Sequence, residues 1–157
     1  MSGNRRTWDT FEAMKLAAEE GDAQAQCYLG VCFQNGQGVT QNYAEAVKWY
    51  RESAERGYPA AQFNLGVFYE TGQVVPQNFQ LAVKWSRDAA EQECAPAQCN
   101  LGLCYQTGRG VEQNQQAAVK WFIRAARQGD KTAQHNLGLH YASQEITETT
   151  EAAEESP

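Results

Sequence analysis

The chain contains 157 residues, 42% of them hydrophobic and 20% charged, and carries a formal net charge of −6. This length corresponds to about one domain with enough apolar residues for a core. The negative charge argues against nucleic-acid binding, which needs clustered Lys and Arg. No apolar stretch approaches the ~20 residues of a membrane helix, so we expect no membrane insertion. No signal peptide is recognisable, which favours a cytoplasmic protein, although a signal peptide already removed would leave no trace.

The first predicted element is a single helix. Residues 1–7 show no apolar periodicity, and we expect this segment to be flexible. A helical pattern begins at Trp8 and ends before Gly21. Glycine is typical of a helix C-terminus because it adopts positive φ angles without strain. Residues 8–21 are therefore predicted to form a half repeat.

The next helix has a narrow apolar face. Ala25, Leu29 and Phe33 follow the i, i+4, i+8 spacing of one helix side. Gly30 costs the helix about 1 kcal/mol of propensity. Its place beside Leu29 therefore indicates a packing role, the close approach of a neighbouring helix. We expect this helix to end at the Gly-Gln-Gly turn of residues 36–38.

A second helix follows that turn. Asn42 is a good N-cap residue, and Glu45, three positions later, predicts a capping box with it. The apolar positions after Asn42 are Tyr43, Ala46, Val47, Tyr50 and Ala54. Gly57 predicts the end of the helix. Neither helix of this pair can bury its apolar face alone.

This two-helix pattern recurs with a period of 36 residues. The Leu-Gly pair occurs at Leu29-Gly30, Leu65-Gly66, Leu101-Gly102 and Leu137-Gly138. The segment Ala-Val-Lys-Trp starts at residues 46, 82 and 118. Stacked helix pairs would bury one continuous core. We therefore predict an all-α solenoid of about eight helices, with antiparallel pairs at about residues 22–57, 58–93 and 94–129.

Three features depart from the repeat. Val74 stands where Gly38 and Gly110 occur, which predicts either a remodelled turn or a β-region conformation for Val74. Glu93 replaces the glycine that ends the second helix in the other two repeats. Residues 130–145 are predicted to form a first-type half repeat whose outer flank has no covering helix. Residues 146–157 lack an apolar stripe and are expected to be a disordered acidic tail.

These columns resemble the Sel-one-like repeat family, a relative of tetratricopeptide repeats. The family pattern A-x-x-x-L-G-x-x-Y-x-x-G-x-G-V-x-x-N-x-x-x-A-V-K-W is matched almost throughout from Ala25, with Phe33 in place of Tyr. The resemblance covers residues 8–143. It implies a right-handed superhelix whose first helices line the concave side, and a non-catalytic adaptor that binds protein or peptide.

The same resemblance places four columns of side chains in the concave groove. Their members are Cys27, Phe63, Cys99 and His135; Tyr28, Asn64, Asn100 and Asn136; Val31, Val67, Leu103 and Leu139; and Gln34, Glu70, Gln106 and Ala142. The Asn column has two interpretations. Its amides, each both donor and acceptor, would hydrogen-bond either an extended peptide backbone or the neighbouring helices of the stack.

Other sites are less favoured by the sequence. The Lys-Trp pairs at 48–49, 84–85 and 120–121 are best interpreted as packing residues with solvated lysines. The five cysteines, an odd number without a C-x-x-C motif, favour buried reduced thiols over a disulfide framework. The column pairs Cys99/His135 and Cys104/His140 point in different directions on their helices, which argues against zinc. No cofactor motif is present.

The sequence therefore predicts a scaffold that binds a peptide or protein segment in its concave groove. The alternative is self-association through the uncovered last helix, giving a homo-oligomer. An enzyme is less favoured still. The cysteine-rich relatives linked to penicillin recognition pair cysteines eight residues apart, and Ala90 and Gln98 stand at those positions here.

Overall fold

The predicted all-α solenoid is confirmed. The computed structural model describes the backbone of residues 10–154 and the side chains of residues 10–143. Over that range the chain forms eight α-helices and no strand: α1 (Phe11–Glu19), α2 (Ala23–Asn35), α3 (Tyr43–Glu55), α4 (Pro59–Thr71), α5 (Phe79–Glu91), α6 (Ala95–Thr107), α7 (Gln115–Arg127) and α8 (Lys131–Glu154). Contacts run mainly between helices adjacent in sequence, as in a stack of repeats.

The second helices start at the asparagines predicted as N-caps. The side-chain oxygen of Asn42 accepts hydrogen bonds from the backbone N–H groups of Ala44 and Glu45. Asn78 and Asn114 cap α5 and α7 in the same way. The predicted capping box is wrong, however. The Asn42 backbone N–H donates to the Phe33 carbonyl at 2.8 Å.

The side chain of Glu45 turns outward and accepts a hydrogen bond from Lys48. The bond from the Asn42 backbone has equivalents in the other repeats, where Asn78 donates to Tyr69 and Asn114 to Tyr105, both at 2.9 Å. A backbone hydrogen bond therefore connects the end of each loop to the helix before it.

The first three Leu-Gly pairs form the crossing points of the core. Leu29, Leu65 and Leu101 are almost fully buried. A Cβ atom on Gly30 would lie 2.7 Å from the Tyr50 ring, so the absence of a side chain is what lets α3 approach α2. The close helix approach predicted from this glycine is confirmed.

Both predictions for Val74 are wrong. The turn keeps its shape, and Val74 takes the left-handed conformation of the glycines it replaces, with φ 71°. The turn is held at both ends, because Gly72 is itself left-handed and caps α4 while Asn78 is bound to Tyr69. Glu93 is also left-handed, with φ 62°.

We predict that Val74→Gly stabilises the protein. A branched side chain in the left-handed region costs about 1–2 kcal/mol, and Val74→Gly removes this strain. Part of the gain is lost because glycine makes the unfolded chain more flexible. The free energy of unfolding measured in urea should rise by about 1 kcal/mol. The reciprocal change, Gly38→Val, should lower it by a similar amount, and a fall in stability with Val74→Gly would contradict the strain argument.

The ends of the solenoid differ in part from the sequence prediction. Thr10 caps α1, which begins at Phe11. The predicted helix start at Trp8 and the flexible segment 1–7 lie outside the described residues. At the other end α8 runs to Glu154, so residues 146–154 are helical where disorder was expected. Residues 144–154 contain neither Gly nor Pro and consist mostly of Glu, Thr and Ala, so no helix-breaking residue ends α8 before Glu154.

Candidate functional site

Two equivalent depressions lie between first helices of successive repeats. The first has a volume of about 70 Å³ and is lined by Gln34, Asn64, Val67, Phe68, Thr71 and Gln73. The second has a volume of about 120 Å³ and is lined by Glu70, Leu103, Cys104, Thr107 and Arg109. Their linings are related by the 36-residue period, since Gln34 corresponds to Glu70 and Gln73 to Arg109. The repeat therefore presents one surface position twice, with different chemistry.

The first depression has no charged side chain and combines polar with apolar residues. The Tyr50 hydroxyl donates to the Gln34 side-chain oxygen at 2.6 Å. Burial raises the pKa of Tyr50, so its hydroxyl keeps this proton at neutral pH. Asn64 is half-buried at the rim, and its amide has no hydrogen-bond partner among the described residues. That amide is available to a ligand.

The second depression contains a charged network. Glu70 accepts from Arg109 at 2.9 Å and from Asn100 at 3.3 Å through its two oxygens. Asn100 also donates to the Ser86 hydroxyl at 3.2 Å. Asn100 therefore joins α6 to α4 and α5. Of the two interpretations of the Asn column, bonding between neighbouring helices is the one found for Asn100.

Two predicted groove residues are buried instead. Cys27 and Cys99 are each 5% exposed. Cys27 packs in the cluster that includes Ala46, Val47 and Tyr50 of α3, and Cys99 packs with the core side chains of α7. These cysteines point towards the second helices, whose side chains pack against their column in the stack. Their assignment to the groove is therefore corrected.

The remaining predicted groove residues retain some exposure. Tyr28 is 43% exposed, and His135 is exposed. Phe63 is half-buried against the core cluster around Val83 and Leu101. The side chains of Gln106 and Asn136 are also half-buried. Together these side chains form a mixed polar and apolar surface.

Sequence reasoning missed Arg109, the charged residue of the second depression. It lies in the turn after α6, outside the columns taken from the helices. A signal was present, since this turn position reads Gln37, Gln73 and Arg109 in the three repeats. A position that changes its charge inside a fixed turn is a candidate for specificity.

The cysteines are free thiols. All five are unpaired, and Cys32 and Cys94 are only partly buried. Burial raises the pKa of Cys27 and of Cys99 to about 12. Burial also raises the pKa of Cys104, to about 11. Because the thiolate is the reactive form, these three groups are inert near neutral pH.

We predict selective alkylation of the native protein. With iodoacetamide at pH 8, Cys27, Cys99 and Cys104 should remain unmodified, since less than about 1% of each is thiolate. Peptide mass spectrometry should show all five modified once urea is added. Rapid labelling of Cys104 in the folded protein would contradict its burial.

Two kinds of feature are absent from the part of the chain that the structure describes, a cluster of metal ligands and a membrane-spanning helix. No three His, Cys, Asp or Glu side chains come together there as ligands for an ion. None of the described helices combines the length and apolar character required to span a bilayer.

Comparison with known proteins identifies the fold family. The Sel1 repeat profile matches residues 23–58, 59–94 and 95–130, which together make up more than half of the chain. The chain belongs to the Sel1 repeat family. Sel1 repeats are generally non-catalytic scaffolds that mediate protein interactions.

Two solved structures and one curated protein show the range of relatives. A Sel1 repeat protein from Oxalobacter formigenes is 37% identical with a TM-score of 0.75, and the match covers 81% of this chain and 96% of that one. The protective antigen c5321 of uropathogenic Escherichia coli, which displays the same repeat fold, is 39% identical with a TM-score of 0.79, over 84% of this chain and 28% of that one.

A curated relative is DAP3-binding cell death enhancer 1 of Rattus norvegicus. It is 50% identical over 38 residues, which is 24% of this chain. The match spans only 8% of the length of that relative. The similarity therefore amounts to about one repeat.

Proposed function

We propose that this Sel1 repeat chain is an interaction module that binds an extended peptide or protein segment along its concave groove. The observation that carries the proposal is the pair of equivalent depressions on successive first helices. A peptide crossing both would meet the neutral amides of the first and the Glu70–Arg109 pair of the second. Amides that both donate and accept suit a peptide backbone, and the charged pair supplies selectivity.

The depressions also indicate which residues a test should change. Asn100 holds three helices together and Phe63 packs against the core, so replacing either confounds binding with folding. Asn64 and Thr71 line the first depression without carrying the core. They are the positions at which a ligand can be detected without disturbing the fold.

Site-specific photo-crosslinking tests the groove. A benzophenone side chain at Thr71 should form adducts with co-purifying proteins, whereas the same group at exposed Lys84 on α5 should not. Mass spectrometry of the adducts would map the contacting segment, and helical circular dichroism would confirm folding of both variants. Adducts of equal yield at the two positions, or only at Lys84, would contradict the groove assignment.

Self-association is a second candidate, favoured by the surface of α8. A Cβ on Gly138 would meet nothing within 4 Å, although glycines of the same column in earlier repeats are covered by the following helix. Leu139 and Tyr141 are 58% and 49% exposed. A second copy of the chain would cover this surface.

Light scattering decides between monomer and oligomer. If the second candidate is correct, the mass should exceed that of one chain, and Leu139→Glu should restore the monomer. A monomer at millimolar concentration would exclude this candidate and leave the groove proposal intact.

A further inference from the structure

A pocket on the side of the second helices is distinct from the groove depressions. It has a volume of about 420 Å³, and its lining includes Ala18, Gln26, Lys48, Trp49, Glu52 and Arg56. It shares no lining residue with the two depressions. The pocket lies between α1 and the helices of the first repeat, and comparison with the later repeats shows what it lacks.

The first missing group is a hydrogen-bond donor for Gln26. Gln26 is 3% exposed, and its oxygen is the single buried side-chain oxygen or nitrogen without a partner among the described residues. Its amide nitrogen donates to the Ala18 carbonyl at 3.1 Å, which fixes the orientation of the amide. The equivalent oxygens of Gln62 and Gln98 each accept a hydrogen bond at 2.8 Å from a glutamine 30 residues later.

In the first repeat that donor position is Arg56. Its guanidinium lies over Gly21, 3.2 Å from where a Cβ would stand, and does not bond to Gln26. A buried oxygen without a hydrogen-bond donor destabilises the fold, because it has lost its bonds to water without replacement. The site is therefore built to accept an N–H group that the first repeat does not supply.

The second missing group is a cation on the tryptophan. Lys84 lies 4.5 Å from the centroid of the Trp85 ring, and Arg124 lies 4.6 Å from the Trp121 ring. Trp49 has no such partner among the described residues. Lys48, the equivalent of Lys84, is instead bonded to Glu45.

Residue substitutions between repeats explain this difference. Leu81 and Ala117 stand at the position of Glu45. The lysines of the later repeats therefore have no carboxylate at that position to pair with in place of the tryptophan ring. Glu52 stands where Arg124 occurs in the third repeat. At this position next to the Trp49 indole, the first repeat therefore has a carboxylate and not a cation.

We propose that this pocket binds a guanidinium group presented by an arginine side chain of a partner peptide. A planar guanidinium stacks on an indole, donates several hydrogen bonds and pairs with carboxylates. Trp49, the Gln26 oxygen and Glu52 offer those three contacts within one pocket. The later repeats reproduce two of them internally, with Arg124 on Trp121 and a side-chain N–H on the glutamine oxygen.

NMR titration of the full chain tests the proposal. The probe is the peptide acetyl-Gly-Arg-Gly-amide, and its citrulline counterpart is the uncharged control. The indole N–H signal of Trp49, assigned with Trp49→Phe, should shift saturably with the arginine peptide only. The indole signals of Trp85 and Trp121 should stay in place. Absence of a Trp49 shift, or equal shifts of the Trp49, Trp85 and Trp121 signals, would overturn the proposal.

Two variants with equal charge change separate the pocket from bulk electrostatics. Glu52→Arg recreates the cation of the third repeat and should weaken binding at least about tenfold. Asp88→Arg makes the same change at the equivalent position of the second repeat and should alter affinity less than about twofold. Equal effects of the two variants would overturn the proposal, because net charge alone would then explain binding.

Arg56→Gln tests the contact with Gln26. It restores the donor found in the later repeats while removing a positive charge. Electrostatics alone predicts tighter binding of the arginine peptide, whereas occupation of the Gln26 oxygen predicts weaker binding. A gain in affinity would contradict the role of Gln26.

Discussion

Gly110→Ala should lower the free energy of unfolding by about 3 kcal/mol, the sum of backbone strain and a steric clash. Gly110 has φ 73°, so any side chain is strained there. A Cβ would also lie 2.4 Å from the Phe79 carbonyl oxygen. Because that neighbour is backbone at the start of α5, it cannot move aside as a flexible side chain could.

The matched control for this variant is Gly129→Ala. Gly129 has φ 89°, and a Cβ there would meet nothing within 4 Å. Its replacement should cost only the strain of about 1–2 kcal/mol. Urea unfolding of both variants separates the two contributions, and equal losses would show that the turn at Gly110 relaxes away from α5.

The consequence of Gly110→Ala reaches the candidate groove. Arg109, the preceding residue, lies over the Phe79 ring at 5.6 Å and is bonded to Glu70. Displacement of this turn would therefore separate Arg109 from Glu70 and alter the second depression. Gly110 therefore supports the geometry of the second depression although it does not line it.

The repeated parts of the fold could be predicted because each signal occurs several times. A Leu-Gly pair in one helix is a weak indication, but four pairs at a fixed spacing of 36 residues leave few alternatives. The N-cap positions were equally clear. Asparagine satisfies backbone N–H groups at a helix start whatever the tertiary context.

The conformation of Val74 could not be predicted for the opposite reason. Its local preference is for the β region, but its neighbours impose the turn through Gly72 and the bond of Asn78 to Tyr69. Straining one residue costs less free energy than breaking the bonds that hold the loop in place. Local propensity thus yields to a turn held at both ends.

The candidate groove could be predicted only in part, because the position of a residue along its helix does not determine how deeply its side chain is buried. The family resemblance placed the columns of Cys27 and Asn64 in one groove, yet Cys27 is buried and Asn64 is half-buried. The difference depends on how closely the next helix pair stacks. Ser86 illustrates this, since it stands where Tyr50 and Phe122 place rings in the other repeats.

The small side chain of Ser86 changes the second depression. Its hydroxyl accepts the bond from Asn100, and Cys104 stands where Phe68 fills the first repeat boundary. Two smaller side chains therefore leave room for the Glu70–Arg109 pair. This polar network follows from packing between repeats, which sequence columns considered one at a time do not show.

Gly102→Ala should destabilise the chain by about 2 kcal/mol, since overpacking a buried ring outweighs the gain in helix propensity. A Cβ on Gly102 would lie 2.6 Å from the Phe122 ring. Phe122 is 1% exposed and has little room to move. The expected response is a forced separation of α6 and α7.

Gly138→Ala is the matched control, because it alters the same column of the repeat. A Cβ on Gly138 meets nothing within 4 Å, so only helix propensity changes and stability should rise by up to about 1 kcal/mol. Opposite signs in urea unfolding would establish that the Leu-Gly glycines are required by the following helix. Stabilisation by both variants would show that α6 and α7 move apart at little cost in free energy. These glycines would then not set the spacing of the stack.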